Sequence, residues 1–210
     1  MPPPPSTPAG PTHMRAERFD SAYYARWYGR RPVQTSVRIG HLADATLALG
    51  KWWGIPVRSV LDVGAGPGWW GRHLAAHHPK VRYTGVDISA HAAKRYAHEQ
   101  LDIAAWKPSR TYGLVVCQGT LHYLDDDAVV RAISHLASAT RGLIMLEIPT
   151  QDDLDGDVID AAASDLDAFW RSAAWYRRRL RRFFIEVGGG LHVPKDSPHR
   201  FYALERAGNP

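Results

Sequence analysis

Cysteine is nearly absent. Cys117 is the single thiol in 210 residues, which excludes an intrachain disulfide and fits a reducing compartment. Long apolar runs are missing as well: no stretch reaches the roughly 18–20 residues needed to span a bilayer, so no membrane segment is expected. The N-terminus has no basic region followed by an apolar stretch and does not read as a secretory signal. A cytoplasmic location is therefore expected. Metal-ligand spacing is wanting too. His73, His77 and His78 fall at helical spacing, but no carboxylate or cysteine completes the set. They are read as a helix surface, and no metal is expected.

What is present is a chain of 45% apolar content, enough for one domain with a core and too little for two of ordinary size. Residues 1–14, MPPPPSTPAGPTHM, show no periodic apolar pattern and are poor in backbone donors, so they read as a disordered leader. The formal charge is +5, but its distribution matters more. Residues 125–167 are strongly acidic and 171–182 sharply basic. The run WYRRRLRR at 175–182 has two readings. It is a phosphate-binding patch, or it is the solvated face of a helix whose Trp175, Tyr176, Leu180 and Phe183 side is buried.

Helical spacing prevails over 19–50, with an aromatic segment followed by an Ala- and Leu-rich helix over 38–49. Strands are then predicted over 57–63, 81–86, 99–102, 114–117 and 143–148. Helices are predicted over 69–77, 90–96 and 128–139. A long helical region over 158–182 and closing strands over 183–187 and 200–204 complete the pattern. Alternation of this kind predicts an α/β fold with a parallel sheet and helices on both faces.

The most informative segment is VLDVGAGPGWWG at 60–71. A buried strand runs straight into closely spaced glycines and then a helix. Gly64, Gly66 and Gly68 permit tight turning and bare backbone approach to a ligand, beyond the carboxyl end of the strand where ligands lie in such sheets. Residues 66–71 formally match the dinucleotide pattern G-x-G-x-x-G. The register opposes that reading: counting from Gly64, which follows the strand, Trp69 stands where the third glycine belongs. Asp62 before the first glycine suits a ligand carrying an ammonium better than one carrying two phosphates.

LDVGAGPG at 61–68 resembles the first motif of class I S-adenosylmethionine-dependent methyltransferases. YTGVDIS at 83–89 resembles their second strand with its acidic tip, QLDI at 100–103 their third-strand acidic motif, and YGLVVCQGTLHYL at 112–124 their fourth strand. The resemblance covers roughly 57–148, in order and at the right spacing. It implies a Rossmann-like fold whose seven-stranded, mostly parallel sheet carries an antiparallel closing strand. A lid at 15–50 and a cofactor-binding methyltransferase domain at 51–206 would make up the ordered chain. S-adenosyl-L-methionine would be the cofactor, each residue carrying a role. Asp62 would face the methionine portion, and the backbone of Gly64, Ala65 and Gly66 would lie beneath methionine and ribose. Asp87 would accept from both ribose hydroxyls, Ile88 would pack on adenine, and Asp102 with the Ile103 N–H would read the adenine edge. Gln118 or Gly119 would offer a carbonyl to the ammonium. N-capping for Asp87 and Asp102 and turn formation for the glycines are the competing structural readings. Gly113 stands where the family usually has an Asp, which puts the local turn in doubt.

Methyl transfer needs alignment more than catalytic groups. A base is required only if the acceptor must lose a proton. His122, after the fourth strand, is the candidate, its unperturbed pKa suiting neutral pH; alternatively it simply begins a helical turn. His192, in the GGGLH loop at 188–192, is a second. In YYARWY at 23–28, Tyr23, Tyr24 or Tyr28 would contact the sulfonium as part of a lid, with Arg26 on the cofactor carboxylate; ordinary amphipathic packing is the alternative. The acceptor pocket is expected between these helices, the loop after Cys117 and 150–182. Phe169, Trp170, Trp175 and Tyr176 there favour a small organic acceptor over a polymer, and nucleic acid is not expected as a partner. A nucleic-acid or protein methyltransferase, or a non-catalytic cofactor-binding protein, are the other readings.

Overall fold

The computed structural model describes residues 16–29 and 32–207, so the expected leader at 1–14 lies outside the described residues. The helices are α1 (Ser21–Trp27), α2 (Ser36–Trp52), α3 (Trp69–His77), α4 (Ala90–Tyr96), α5 (Asp126–Ala139), α6 (Gln151–Asp155) and α7 (Ala173–Leu180). The strands are β1 (Ser59–Val63), β2 (Arg82–Asp87), β3 (Glu99–Gln100), β4 (Tyr112–Gln118), β5 (Thr140–Glu147), β6 (Phe184–Gly188) and β7 (Leu191–Pro194). They form one sheet in the order β3-β2-β1-β4-β5-β7-β6. β7 runs antiparallel to both neighbours, and the other pairs are parallel.

Side-chain alternation along the central strands divides the core in two. Val115 and Cys117 of β4 point to the layer of α5 and α7, among Ile133, Leu136 and Leu180. Leu114 and Val116 point the other way, to Trp70 and Leu74 of α3 and to Ile39 and Ala43 of α2. Burial on both faces is why these strands read as continuous apolar runs. Because α2 supplies core residues, it belongs to the body of the fold.

Two expectations are corrected. The helix predicted over 158–182 is α7 alone, preceded by turns. Asp160 accepts from the backbone of Ala162 and Ala163, Asp165 accepts from that of Asp167, and Asp157 takes φ 55°. Such short side chains compete with the helix for backbone groups. Ser172 then caps α7 by accepting from the Trp175 N–H. The closing strand is Leu191–Pro194 rather than 200–204. Gly188, Gly189 and Gly190 all hold positive φ and reverse the chain into a tight hairpin, whereas 203–205 is a single 3-10 turn. His192 therefore sits buried in β7, opposite Ile144, with burial lowering its pKa.

Gly113 also has a physical account. A Cβ there would come within 3.1 Å of Pro56 O and 3.2 Å of the Val57 Cα, so the missing side chain lets the 56–58 segment lie on the strand. In α7, Tyr176 and Leu180 are buried, and Trp175 and Phe183 pack partly against the same core. That is the solvated-face reading of the arginine run.

Candidate active site

β1 delivers its glycine loop to the carboxyl end of the sheet. The Gly64 and Ala65 N–H groups donate to Val86 O at 2.9 and 3.0 Å, which ties the loop to β2. The Gly66 N–H donates to Asp87 Oδ2 at 2.9 Å, and the Ser89 N–H to Asp87 Oδ1 at 2.8 Å. Asp87 is thus the post on which the loop is hung. Burial raises its pKa, and those two N–H bonds work against the rise. Tyr24 Oη donates to Asp87 Oδ2 over a long 3.4 Å.

A cavity of about 70 Å³ opens here. Of the expected cofactor-site residues, Tyr23, Tyr28, Gly64, Gly66, Asp87, Ile88, Asp102, Ile103 and Gly119 line it. Asp102 also caps its own turn, accepting from the Ala104 N–H at 2.8 Å. Phe19, Tyr24, Val63, Leu101, Thr120, Tyr123 and Leu124 complete the wall. Of these, sequence reasoning had singled out Tyr24 alone. The aromatics of α1 crowd the cavity: Tyr24 and Tyr28 stack at 5.2 Å.

Four expected residues are not in that wall. Asp62 is buried on the α3 side of the sheet, accepting from Tyr83 Oη at 2.8 Å; with no cation beside it, burial pushes its pKa up to about 7. Ala65 is buried within the loop. The Gln118 side chain turns to the same side as Asp62, accepting from Trp70 Nε1 at 2.5 Å and donating to Glu147 Oε2 at 3.0 Å. Arg26 stays at the surface, 4.5 Å above the Trp27 ring.

His122 lines a second, larger cavity of about 560 Å³. It is buried in the turn Leu121–Tyr123, its ring 4.1 Å from that of Tyr123, and its Nδ1 has no hydrogen-bond partner. Burial, aided by Arg171 and Arg18, pushes its pKa down to about 3. The premise that His122 titrates near neutrality is therefore corrected: it is neutral at pH 7. Tyr23, Tyr28, Gly119 and Tyr123 line both cavities. The second is closed by Gln34 before α2, by Glu147 at the end of β5, and by the 153–170 segment. Among the four aromatics expected around an acceptor, Trp170 is in this wall, while Trp175 and Tyr176 pack on the α5 side of the core.

The N-terminal segment is held across these cavities by a chain of contacts. Tyr23 Oη meets Tyr123 Oη at 2.8 Å, Tyr123 Oη donates to Asp165 Oδ2 at 3.1 Å, and Arg18 clasps the same carboxylate at 2.6 Å. Ser89 Oγ donates to Phe19 O at 2.5 Å.

Away from the cavities, the histidine set gains a carboxylate that was not expected. Asp44 of α2 receives His73 Nε2 at 2.8 Å and His78 Nε2 at 2.7 Å, which holds its carboxyl at about 2. The fold joins residues about thirty positions apart, so the set was not visible as a local motif. The arginines in and just after α7 are likewise remote: Arg177 and Arg181 line a separate groove with Lys195 and Arg206.

The profile of a methyltransferase domain family matches residues 34–188, a stretch that runs across the boundary expected at 50/51. A comparison with curated proteins finds no match. Among solved structures, the magnesium protoporphyrin IX methyltransferase ChlM of Synechocystis PCC 6803, with bound SAM, is 21% identical. That alignment covers 86% of this chain and 95% of that one, with a TM-score of 0.56. The plantazolicin methyltransferase BpumL, in complex with a pentazolic desmethylPZN analog and SAH, is 14% identical, covering 79% of this chain and 68% of that one at a TM-score of 0.60. The chain spans about half the length of Streptomyces venezuelae DesVI: 51%, against 53% of its own, with 21% identity and a TM-score of 0.46. The likeness to ChlM and BpumL is one of fold, and with the family match over most of the chain it leads to one conclusion: this chain belongs to the methyltransferase domain family and has the class I S-adenosylmethionine-dependent methyltransferase fold.

Proposed function

We propose that the chain moves the methyl group of S-adenosylmethionine to a small-molecule acceptor. The cofactor's nucleoside would lie under Asp87 and the acceptor in the larger cavity beside it. The observation that carries this reading is the shared wall: residues Tyr23, Tyr28, Gly119 and Tyr123 border both spaces, so a methyl group at their junction faces an acceptor without crossing solvent. When bound, the cofactor supplies an activated methyl on a cationic sulfur, and the protein's part is alignment and exclusion of water.

The donor set suits that group. Two short N–H bonds engage Asp87, leaving lone pairs for a ribose diol. Asp102 keeps one oxygen free beside the Ile103 N–H for the adenine edge, and Ile88 packs on the ring. Gly64, Ala65 and Gly66 present backbone, Gly119 and Gln118 their carbonyls, and Asp62 acts on the ammonium through water from beneath the loop. Tyr23 and Tyr28 flank the sulfonium. At about 70 Å³ the cavity is far below the roughly 300 Å³ of a ligand-sized pocket, so α1 serves as a lid that withdraws from Asp87 when the nucleoside enters. His122, neutral and in the wall of the larger cavity, orients the acceptor as a hydrogen-bonding group. The basic groove of Arg177 and Arg181 shares no residue with either cavity, which weighs against a nucleic-acid substrate.

The test is calorimetric titration with S-adenosylhomocysteine, paired with transfer of label from methyl-labelled cofactor into metabolite, nucleic-acid and protein fractions of an extract. Binding by the unmutated chain, label in the metabolite fraction, and loss of both in Asp87→Ala are expected. Absence of binding would overturn the cofactor assignment. Label confined to polymer would overturn the small-molecule acceptor.

A further inference from the structure

We infer that the acceptor is a cationic amine and that the atom methylated is nitrogen. This rests on the reading of the larger cavity as the acceptor site. Its described lining carries four carboxylates, Glu147, Asp153, Asp160 and Asp165, against one guanidinium, Arg38. The carboxylates are not equivalent. Asp165 is matched by Arg18, and Asp153 is engaged in capping α6. Among the described residues, the side chain of Glu147, partly buried at the mouth of the sheet, accepts from uncharged amides alone: Gln34 Nε2 on Oε1 and Gln118 Nε2 on Oε2, each at 3.0 Å. Two amides solvate its charge without cancelling it, so a cation is the complementary ligand.

The walls agree. Tyr23, Trp27, Tyr28, Tyr123 and Trp170 surround the space, and aromatic faces attract an ammonium. His122 stands in the same wall. As a neutral ring it can accept an ammonium N–H without repelling it. Glu147, Asp153 and Asp160 do not line the smaller cavity, so this charge is not there for the cofactor.

The chemistry balances. The bound ammonium gives one proton to Glu147, which passes it to water. The freed nitrogen lone pair then attacks the methyl carbon as the carbon–sulfur bond breaks and its electron pair stays on sulfur. The products are a methylammonium and a neutral thioether.

The experiment takes labelled metabolites made by the full chain, passes them over a cation exchanger at neutral pH, and treats them with alkali. Label retained on the exchanger and stable to alkali is expected, because N-methylation keeps the charge. In parallel, phenethylamine and phenethyl alcohol are offered as paired probes, and only the amine is expected to accept label. Glu147→Gln should raise KM for the amine at least tenfold while leaving S-adenosylhomocysteine affinity within threefold. Asp160→Asn, at an exposed turn, serves as a second variant should Glu147→Gln fold poorly, with a smaller rise in the same direction. Label released by alkali as methanol marks a carboxylate acceptor, and label that flows through the exchanger marks an uncharged one. Either overturns this inference while leaving methyl transfer intact. Loss of cofactor binding in the unmutated chain would instead strike the underlying reading.

Discussion

Gly64 holds φ at +68°, and a Cβ there would run into Thr120 Oγ1. The position is constrained twice, by backbone conformation and by space. The left-handed conformation alone costs an ordinary residue about 1–2 kcal/mol. Gly64→Ala is therefore expected to destabilise by more than that in urea unfolding, and Gly64→Ala with Thr120→Ala to recover the steric part. A double variant no more stable than the single one would show that the Thr120 contact is unimportant. Asp87 illustrates a different point at this scale. The N-capping alternative does not hold for it, since Ser89 caps α4 by accepting from the Ala92 N–H; the Asp87 carboxylate instead accepts from the Gly66 and Ser89 N–H groups and still faces the cavity.

Helix α1 is short, seven residues, capped by Asp20 accepting from the Ala22 and Tyr23 N–H groups. Its hold on the body combines ring packing of Tyr24 on His91 and Tyr96 with hydrogen bonds from Tyr23 to Tyr123 and from Tyr24 to Asp87, and Ser89 ties down Phe19 just before it. Bonds of this kind contribute roughly 0.5–1.5 kcal/mol net each, so the element belongs to the part of the fold that opens at low cost. Tyr24 Oη rests on the carboxylate that a ribose would need. Tyr24→Phe is expected to leave affinity for S-adenosylhomocysteine unchanged or raise it, in contrast to the loss in Asp87→Ala. In hydrogen exchange, the amides of Ser21–Trp27 should change protection on binding while those of β4 do not. A large fall in affinity for Tyr24→Phe would mean that its hydroxyl binds the ligand instead of giving way to it. The amphipathic spacing of α1 was legible in sequence; that its tyrosines fill the cavity was not, because the contact spans sixty-three positions.

Across the whole molecule, two buried groups set opposing pH slopes. Asp62 is raised to about 7, so the folded state binds the extra proton between the ordinary carboxylate range and pH 7, and stability falls as pH rises through that window. His122 is lowered to about 3, so the unfolded state binds the extra proton between about 3 and 6.5, and stability rises with pH there. Each slope is about 1.4 kcal/mol per pH unit at most. Between roughly pH 4 and 6.5 these two contributions offset one another, beside the falling slope of Asp87, also raised, and the rising slopes of His98 and His192, both lowered. Relative to the unmutated chain, Asp62→Asn should tilt the profile upward with pH and His122→Asn downward, read as urea midpoints across that range. Parallel profiles for the two variants would contradict the opposition. By the same reasoning, His122 should leave no inflection near pH 6.5 in kcat/KM.

The sequence by itself determined the parallel α/β core, the glycine loop and the acidic tips of β2 and β3. Each depends on backbone chemistry within a few residues: strand burial, positive φ, a carboxylate ending a strand. Tertiary structure decided the rest. It joined Asp44 to His73 and His78, paired β5 with β7, brought Tyr24 onto Asp87, and surrounded His122 until its charged form was lost. These follow from burial and from contacts between distant segments, and no local pattern encodes how much water a side chain will keep.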